Sequence, residues 1–433
     1  MYKKRTSIKP LLEASQIFKV ILVTGMRQVG KTTFLRETAS TEDGASTEDG
    51  ASTEDSASKE DGIKSGAGAP KTTRKYVTLD NPKDEQMAKE EPEFFLETYA
   101  PPVLIDEIQY APELFRYIKM LVDMDDRQGL IWMTGSQQYN LMAGVTESLA
   151  GRVAILDMLG FSLYERDDKA AAQRPFLPTK TPPALLEKRN LADTYRIIWQ
   201  GSFPEVIGKN PNARELFYSS YVRSYIERDV RQLLHVEDES AFMKFISCAA
   251  ARTGQELNLT DLARDADIAP STAKNWLSIL ETSGIIYLLK PYYRNVTKRL
   301  TKRPKLYFMD TGLCAYLSAW HTPETLESGA MGSAFFETFV ITEIIKSWYH
   351  NGRRPHFYYY RDSNQTEIDL LIEQDGLFYP IEIKKTANPH KSDIKAFDSF
   401  AKLEKTGYGS LICLTDQARP LTAGANAVSV WDM

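Results

Sequence analysis

FKVILVTGMRQVGKTTFLRE, residues 18–37, contains the pattern G-x-x-x-x-G-K-[ST] after a run of apolar residues. The pattern predicts a phosphate-binding loop, because small residues let successive backbone N–H groups surround phosphate oxygens. Residues 18–24 are expected to form a buried parallel strand, and residues 32–38 the start of a helix. Nucleotide binding is therefore predicted at nine consecutive residues: Gly25, Met26, Arg27, Gln28, Val29, Gly30, Lys31, Thr32 and Thr33.

A second apolar run, PVLIDEIQ at residues 102–109, predicts a strand that ends in Asp106 and Glu107. In P-loop ATPases an acid at such a strand end holds Mg²⁺ together with the hydroxyl of the loop. We therefore expect Thr32 and Asp106 to hold Mg²⁺ and Lys31 to contact the phosphates of ATP. Glu107 is then expected to polarise the attacking water. The alternative is an acidic pair at a strand end without a catalytic role.

A third predicted strand, residues 129–134, leads into Gly135 and Ser136. ATPases of the AAA+ type place a polar sensor of the γ-phosphate after this strand, so Ser136, or Gln137 beside it, is expected to have that role. Arg152, in the segment ESLAGR, has two interpretations. It completes the catalytic site in cis or, as an arginine finger, in a second copy of the chain, or it is a structural ion-pair partner.

Composition excludes several classes of protein. The chain has 433 residues, of which 42% are hydrophobic and 11% aromatic, as in ordinary globular proteins of two to four domains. No segment approaches the roughly 18 apolar residues of a membrane span, so a soluble, cytoplasmic protein is expected. The three cysteines are far apart and the five histidines form no cluster. These spacings predict neither a disulfide framework nor a zinc site.

The net charge of −5 is unevenly distributed. Residues 39–62 repeat a six-residue unit close to ASTEDG and carry eight acids and one base, so the remainder of the chain is slightly basic. Such composition buries too little apolar surface to offset the entropy of ordering it. Residues 39–73 are therefore predicted to be a flexible acidic insertion. Residues 294–305, in contrast, hold six bases and no acid.

The motifs GMRQVGKTT, VLIDEIQYAPELF, TGSQQYNLM and ESLAGR resemble the ATPase module of a prokaryotic group of AAA+ ATPases. The later runs RSYIERDVRQL, NWLSILETSGIIYLL, KRLTKRPKLYFMDTGL and YRDSNQTEIDLLIE resemble the rest of that group, the AAA_14 type with a C-terminal DUF4143 domain. The resemblance covers nearly the whole chain. Only the repeat insertion departs from it, and the insertion leaves the motifs intact.

The region 257–289 predicts a helix-turn-helix followed by a strand, as in a winged helix. Thr260 and Ser271 stand where helix N-caps are expected. The start of the second helix and the following basic run would then contact DNA, at six residues: Ser271, Thr272, Lys274, Asn275, Lys302 and Arg303. The alternatives are a protein-docking winged helix and a basic run that is only a solvated surface.

The C-terminal sequence predicts three strands, at residues 357–361, 367–373 and 378–384, with a turn at residues 374–376. Alternation puts Glu382 and Lys384 on one face of the last strand, with Asp369 across a hairpin. This D…E-x-K pattern resembles the core of PD-(D/E)xK nucleases, where carboxylates hold Mg²⁺ and the lysine activates water. Glu337, on a predicted amphipathic helix, matches the additional acid of such folds. The expected metal ligands are thus Glu337, Asp369 and Glu382, with Lys384 as a catalytic residue.

The predicted fold class is α/β: a P-loop NTPase parallel sheet of the AAA+ type, a helical winged-helix region and a restriction-endonuclease-like domain. The predicted boundaries are 1–160 for the ATPase domain, 161–250 for a helical lid or bridge, 251–305 for the winged helix and 306–433 for the nuclease-like domain. Two functions remain open. One is an ATP-dependent, DNA-processing enzyme; the other is a nucleotide-switched regulator that binds DNA or protein through an inactive nuclease-like domain.

Overall fold

The computed structural model describes residues 2–48, 73–135, 145, 148–226, 239–295, 302–362 and 364–433. These residues form two compact units. One comprises Ile8–Gly25 and Gly30–Leu156, and the other comprises Met1–Ser7, Met26–Val29 and Asp157–Met433. Among the described residues, no helix has the length and apolar character needed to span a membrane.

The first unit is built on a five-stranded sheet in the order β2-β3-β4-β1-β5. Its strands are β1 Val20–Thr24, β2 Lys75–Thr78, β3 Val103–Asp106, β4 Ile131–Gly135 and β5 Val153–Asp157. The pairings β2 with β3, β3 with β4 and β4 with β1 are parallel. All residues of β1, β3 and β4 are buried, as expected of strands covered on both faces. The predicted P-loop NTPase sheet is confirmed.

Helices cover this sheet and contribute to its apolar core. They are α1 Ile8–Ile17, α2 Lys31–Glu48, α3 Pro82–Glu90, α4 Pro92–Thr98 and α5 Leu114–Met124. Phe95 of α4 and Phe115 and Ile118 of α5 pack in one cluster with residues of the strands. At the start of α3 the Asn81 side chain accepts a hydrogen bond from the Lys83 amide, which caps the helix.

Helix α2 extends into the segment predicted to be a flexible insertion. It ends at Glu48, so residues 39–48 of the predicted insertion 39–73 are helical instead. Adding a residue to an existing helix costs far less than nucleating a new one, and a single internal glycine costs only about 1 kcal/mol. Amino-acid composition alone does not indicate that the helix continues into this segment. Residues 49–72 lie outside the described residues.

The second unit begins with helices in the predicted bridge and continues through the predicted helix-turn-helix. These are α6 Leu163–Arg166, α7 Leu191–Gln200, α8 Pro211–Tyr221, a π-helical turn Val222–Ile226, α9 Glu239–Ala250, α10 Leu259–Ala266 and α11 Pro270–Thr282. The N-caps of the last two are Asn258 and Ala269, not the predicted Thr260 and Ser271. Asn258 accepts from the Thr260 and Asp261 amides, and its proximity to the first turn gives it the capping role.

A small sheet has strands before and after α10 and α11, in the order β6-β8-β7. Its strands are β6 Gln255–Glu256, β7 Ile286–Leu289 and β8 Lys305–Phe308, and β8 pairs antiparallel with both neighbours. The predicted boundary between residues 305 and 306 falls inside β8. Because backbone pairing joins β8 to β6 and β7, this strand belongs with the preceding helices.

A six-stranded sheet forms the C-terminal region, in the order β13-β14-β12-β11-β10-β9. Its strands are β9 His356–Arg361, β10 Glu367–Gln374, β11 Leu377–Ile383, β12 Gly409–Cys413, β13 Arg419–Thr422 and β14 Ala425–Ser429. The accompanying helices are α12 Thr311–Leu317, α13 Pro323–Ser328, α14 Gly332–Tyr349 and α15 Lys395–Ala401. Asp375 and Gly376 both have positive φ, which suits the tight β10–β11 turn. Helix α14 is buried over most of its length rather than amphipathic.

Candidate functional site: a phosphate loop and a second carboxylate cluster

The predicted phosphate loop connects β1 to α2 through backbone that only some residues adopt easily. Gly25 and Gly30 have φ of 142° and 90°, and Gln28 has φ of 60°. Glycine reaches these values without a steric penalty, which accounts for both glycines of the pattern. Lys31 is the first residue of α2, and its buried ammonium donates to the Gly25 carbonyl at 3.1 Å.

Asp106 lies at the carboxyl end of β3, where the structure brings it to Thr32. The Thr32 hydroxyl donates to Asp106 Oδ1 at 2.8 Å and lies 3.1 Å from Oδ2. The carboxylate is 4% exposed. Two predicted ligands of Mg²⁺, separated by more than seventy residues of sequence, thus converge at one edge of the sheet.

Two hydroxyl groups that the sequence did not single out also donate to Asp106. They belong to Thr134 at the end of β4, which donates to Oδ1, and to Tyr76 on β2, which donates to Oδ2 at 3.1 Å. Burial, and then the charge of Asp106, raises the pKa of Tyr76 to about 12, so its hydroxyl remains a donor at neutral pH. The available signal was topological, since β2 and β4 flank β3.

Glu107 directly follows β3 in a left-handed conformation, with φ 57° and ψ 46°. A non-glycine residue held there is uncommon and marks a position that the surroundings determine. The Glu107 amide donates to the Thr134 hydroxyl at 3.0 Å, and the Gln109 side-chain amide donates to the Glu107 carboxylate. Thr134 therefore orients both acids, because it donates to Asp106 and accepts from Glu107.

The predicted nucleotide site also includes a polar sensor and Arg152. Ser136 and Gln137 lie outside the described residues. Arg152 precedes β5, and its guanidinium donates to Asp123 of α5, with Nη2 3.0 Å from Oδ2. This contact is the ion pair that the structural interpretation of Arg152 requires.

A second carboxylate cluster forms where β8, β10 and α14 meet, and a lysine lies among its acids. The Lys305 ammonium is 3.1 Å from Glu337 Oε1, 2.5 Å from Glu367 Oε1 and 3.4 Å from Asp369 Oδ1. Lys305 is 4% exposed. The Tyr307 hydroxyl, also on β8, donates to Glu337 Oε1 at 2.7 Å. The structure therefore brings the predicted Glu337 and Asp369 together, around a cation that was predicted to contribute to a basic surface run.

Glu382 and Lys384 complete this cluster on the other side of the β10–β11 hairpin. The Lys384 ammonium lies 2.7 Å from Glu382 Oε1, and the Ile383 amide donates to Asp369 Oδ2 at 2.9 Å. Glu382 Oε2 is buried without a hydrogen-bond partner among the described residues. An unpartnered buried carboxylate oxygen is costly, and a bound cation is one way to satisfy it.

The charges of the cluster shift one another's pKa values. Burial, and then the charge of Asp369, raises the pKa of Glu337 to about 7 and that of Glu382 to about 8. Burial alone would lower the pKa of Lys305, but Tyr307 and the surrounding acids raise it well above its ordinary value. Lys305 is therefore held as an ammonium. Over the described ranges, no group of three or more His, Cys, Asp or Glu side chains is arranged to hold a metal ion.

The residues predicted to contact DNA differ in how exposed they are. Ser271, Lys274 and Asn275 are exposed at the start of α11, and Thr272 beside them is half-buried. Lys302 and Arg303 are exposed. Among the other described bases of the run, two are paired with acids and so contribute less to a positive surface than predicted. Arg294 pairs with Glu404 at 2.7 Å, Lys305 is buried among acids, and Lys298 and Arg299 lie outside the described residues.

Comparison with known proteins identifies three segments. An AAA domain matches residues 18–166, a domain of unknown function (DUF8612) matches residues 191–324, and a second domain of unknown function (DUF4143) matches residues 332–433. An uncharacterized protein of Mycobacterium tuberculosis is 27% identical over 389 residues, which cover 90% of this chain and 75% of the relative.

Two solved structures show limited similarity to this chain. The Walker-type ATPase PABY2304 of Pyrococcus abyssi has a TM-score of 0.43 at 12% identity, over 73% of this chain and 96% of that one. DnaA from Aquifex aeolicus, bound to AMPPCP, has a TM-score of 0.31 at 12% identity, over 64% and 85% of the respective chains. The resemblance inferred from the motifs is confirmed by the domain matches. The chain thus carries an AAA domain of the AAA_14 type and a C-terminal DUF4143 domain.

Proposed function

We propose that the chain binds ATP with Mg²⁺ at residues 25–33 and hydrolyses it. The observation that carries the proposal is the hydrogen bond of 2.8 Å from Thr32 to Asp106. Among the described residues, the three groups that donate to the Asp106 carboxylate are hydroxyls, which bring it no positive charge. The donor set therefore suits a hard cation such as Mg²⁺, which prefers oxygen ligands.

In this proposal each residue of the phosphate loop and of the adjacent strand ends has one role. Thr32 and Asp106 hold the metal, and Lys31 leaves the Gly25 carbonyl to contact the phosphates. Mg²⁺, when bound with ATP, neutralises negative charge on the phosphate oxygens. Glu107 orients the attacking water and accepts its proton, while Thr134 fixes the positions of Glu107 and Asp106 relative to each other. Ser136 is assigned to contact the γ-phosphate because of its position in the sequence directly after β4.

Steady-state ATP turnover tests the assignment. Glu107→Gln should lower turnover about 10²-fold or more while ATP binding persists, because loss of a general base typically has that effect. Glu113→Gln, at an exposed acid nearby, is the matched control and should turn over ATP normally. Unchanged turnover in Glu107→Gln would refute hydrolysis at this site.

Arg152 enters the proposal as a residue that leaves Asp123 to contact the γ-phosphate of ATP in the same copy or a second copy of the chain. Asp123→Asn removes its observed partner. Turnover should then rise, and Arg152→Ala should abolish the rise. A structural ion pair predicts no increase in turnover from Asp123→Asn.

We further propose that nucleotide turnover is coupled to DNA through the helix-turn-helix region. The supporting observation is the exposure of Ser271, Lys274 and Asn275 on the first turns of α11, near in sequence to exposed Lys302 and Arg303. Replacing both bases with Gln should weaken a mobility shift of duplex DNA and reduce its salt dependence by about two ions. A salt-insensitive shift would instead indicate a protein partner.

The nuclease-like region has two candidate functions. The unpartnered Glu382 Oε2 beside Lys384 favours a Mg²⁺-dependent deoxyribonuclease. The buried Lys305 ammonium among the acids favours the nucleotide-switched regulator, in which the region binds without cleaving. Plasmid DNA incubated with Mn²⁺ distinguishes them: nicking lost in Asp369→Ala supports the nuclease, and equal nicking by both proteins supports the regulator.

A further inference from the structure

Lys305 occupies the place in the carboxylate cluster where a metal ion would be expected. Its ammonium lies within 3.4 Å of oxygens from Glu337, Glu367 and Asp369. Two of these acids, Glu337 and Asp369, are the ones proposed above as metal ligands. Lys305 and Asp369 are both buried, and Glu337 and Glu367 are half-buried, so the contact is part of the packed interior rather than an exposed surface pair.

An ammonium and a divalent ion cannot occupy this position together. A metal ion bound to the same carboxylate oxygens would sit within about 2.0 to 2.6 Å of them. It would then lie within a few ångströms of the Lys305 ammonium in a buried site, where like charges repel strongly because screening is weak. One cation must therefore displace the other.

The cluster nevertheless retains one ligand that Lys305 does not satisfy. Glu382 is 6% exposed, and its Oε2 has no hydrogen-bond partner among the described residues. Lys384 contacts the other oxygen of this carboxylate, Oε1, at 2.7 Å. A buried carboxylate oxygen without a partner, beside Asp369, is a ligand that a metal ion can use once Lys305 is withdrawn.

We propose that Lys305 is a built-in cation that closes the carboxylate cluster to divalent metal ions. The proposal rests on the metal site proposed above and adds its regulation. Lys305 begins β8, which pairs with β6 and β7, whereas the acids lie on α14 and β10. Withdrawal of Lys305, by a side-chain turn or a shift of β8, opens the cluster. Metal binding is thereby linked to the sheet that follows the helix-turn-helix.

Manganese binding to the full chain without nucleotide tests the proposal, with free Mn²⁺ measured by electron paramagnetic resonance. Lys305→Met should bind one Mn²⁺ at least about tenfold more tightly than the unaltered chain, since it removes one competing charge. The gain should disappear in Lys305→Met combined with Asp369→Asn. Lys305→Arg, which keeps the charge, should bind no better than the unaltered chain.

The outcomes separate the two proposals. In one outcome the unaltered chain binds Mn²⁺ as tightly as Lys305→Met, and adding Asp369→Asn abolishes binding in both. Lys305 then does not exclude metal ions, although the metal site itself is supported. If neither protein binds Mn²⁺ in an Asp369-dependent way, the metal site itself is refuted.

A second variant covers the case in which Lys305→Met does not fold. Lys305→Gln removes the charge but keeps a polar side chain beside Glu337, Glu367 and Asp369. It should also raise Mn²⁺ affinity by about tenfold, because the competing charge is gone. An unchanged or lower affinity would overturn the proposal.

Discussion

Two buried aspartates, Asp106 and Asp369, show contrasting ways of satisfying a carboxylate. Asp106, 4% exposed, accepts from three neutral hydroxyls on α2, β2 and β4. Asp369, 7% exposed, faces the Lys305 ammonium at 3.4 Å and accepts from the Ile383 amide. Both accept hydrogen bonds from several donors, but among the described residues only the second forms an ion pair with a lysine or arginine.

The difference has a consequence for metal binding. Hydroxyl donors orient a carboxylate without neutralising it, so an incoming cation gains nearly the whole electrostatic attraction. A lysine provides that attraction from within the chain, and a cation from solution must compete with it. The N-terminal unit therefore suits a ligand that binds and leaves, whereas the C-terminal cluster is stable without one.

The largest expected effect is loss of Lys305. With the chelator EDTA present, Lys305→Met should lower the free energy of unfolding by about 3 kcal/mol or more, because it leaves buried carboxylates without their cation. Urea unfolding at neutral pH measures this change. Lys302→Met, at an exposed lysine of the same run, should change it by less than about 0.5 kcal/mol. A loss below about 1 kcal/mol would mean that the acids near Lys305 do not need it.

A smaller loss is expected at the hydroxyl-based site. Thr134→Val removes a donor to Asp106 and the acceptor of the Glu107 amide. We expect a loss of about 2 kcal/mol in the free energy of unfolding, from buried groups left unpaired, and reduced ATP turnover. Thr24→Val is the matched control on the neighbouring strand, since the buried Thr24 hydroxyl has no partner among the described residues. Equal losses in both would remove the special role of Thr134.

A third buried carboxylate, Glu165, extends the comparison to pH. It lies 3.4 Å from the Arg5 guanidinium and 3.3 Å from His350 Nδ1. Burial, then the charges of Arg5 and Lys346, lowers the pKa of His350 well below its ordinary 6.5. When the pH falls below that value, His350 therefore binds a proton in the unfolded chain but not in the folded protein. His350 then contributes a decrease of about 1.4 kcal/mol per pH unit to the free energy of unfolding, opposite in sign to the contributions of Glu337 and Glu382, whose raised pKa values favour the folded state as the pH falls.

Chemical unfolding between neutral and mildly acidic pH measures the contribution of His350. His350→Gln should remove this contribution, so that the free energy of unfolding becomes larger relative to the unaltered chain as the pH falls, and His321→Gln, at an exposed histidine, should leave the slope of the unaltered chain intact. The same slope in all three proteins would show that His350 titrates normally when folded.

The smallest effect is expected at Tyr76, which is 39% exposed. Tyr76→Phe removes one of the hydroxyls that orient Asp106, and should raise the Mg²⁺ concentration for half-maximal ATP turnover about three- to fivefold. Tyr99→Phe is the control, because its hydroxyl donates to Asp84 instead. A lower Mg²⁺ requirement in Tyr76→Phe would indicate that its hydroxyl competes with the metal.

The phosphate loop was predictable because its information is local. Glycines at fixed spacing, an apolar strand before them and a helix after them define the loop within twenty residues. Asp106 was predictable for a related reason, since carboxyl ends of parallel strands meet at one edge of a sheet. Thr134 and Tyr76 were not singled out, because hydroxyl residues at strand ends are common and only strand order brings these two to Asp106.

Lys305 could not be separated from its basic neighbours by composition. In the run KRPK, Lys302 and Arg303 are exposed and Lys305 is buried. Alternation along a strand offered the one available signal, because it puts Lys305 and Tyr307 on the same face. Both contact Glu337, but the sequence could not show that α14 lies against that face.

By itself, the sequence determined the α/β class, the phosphate loop and the acids at the end of β3, because periodicity and residue spacing act over short distances. It also identified Asp369 and Glu382 of the C-terminal cluster through a hairpin pattern, and Glu337 through resemblance to a nuclease core, but it did not identify Glu367. Only the tertiary structure decided which donor meets each carboxylate: hydroxyls from three elements at Asp106, and the Lys305 ammonium at Asp369. Those contacts depend on how distant segments pack, which no local pattern encodes.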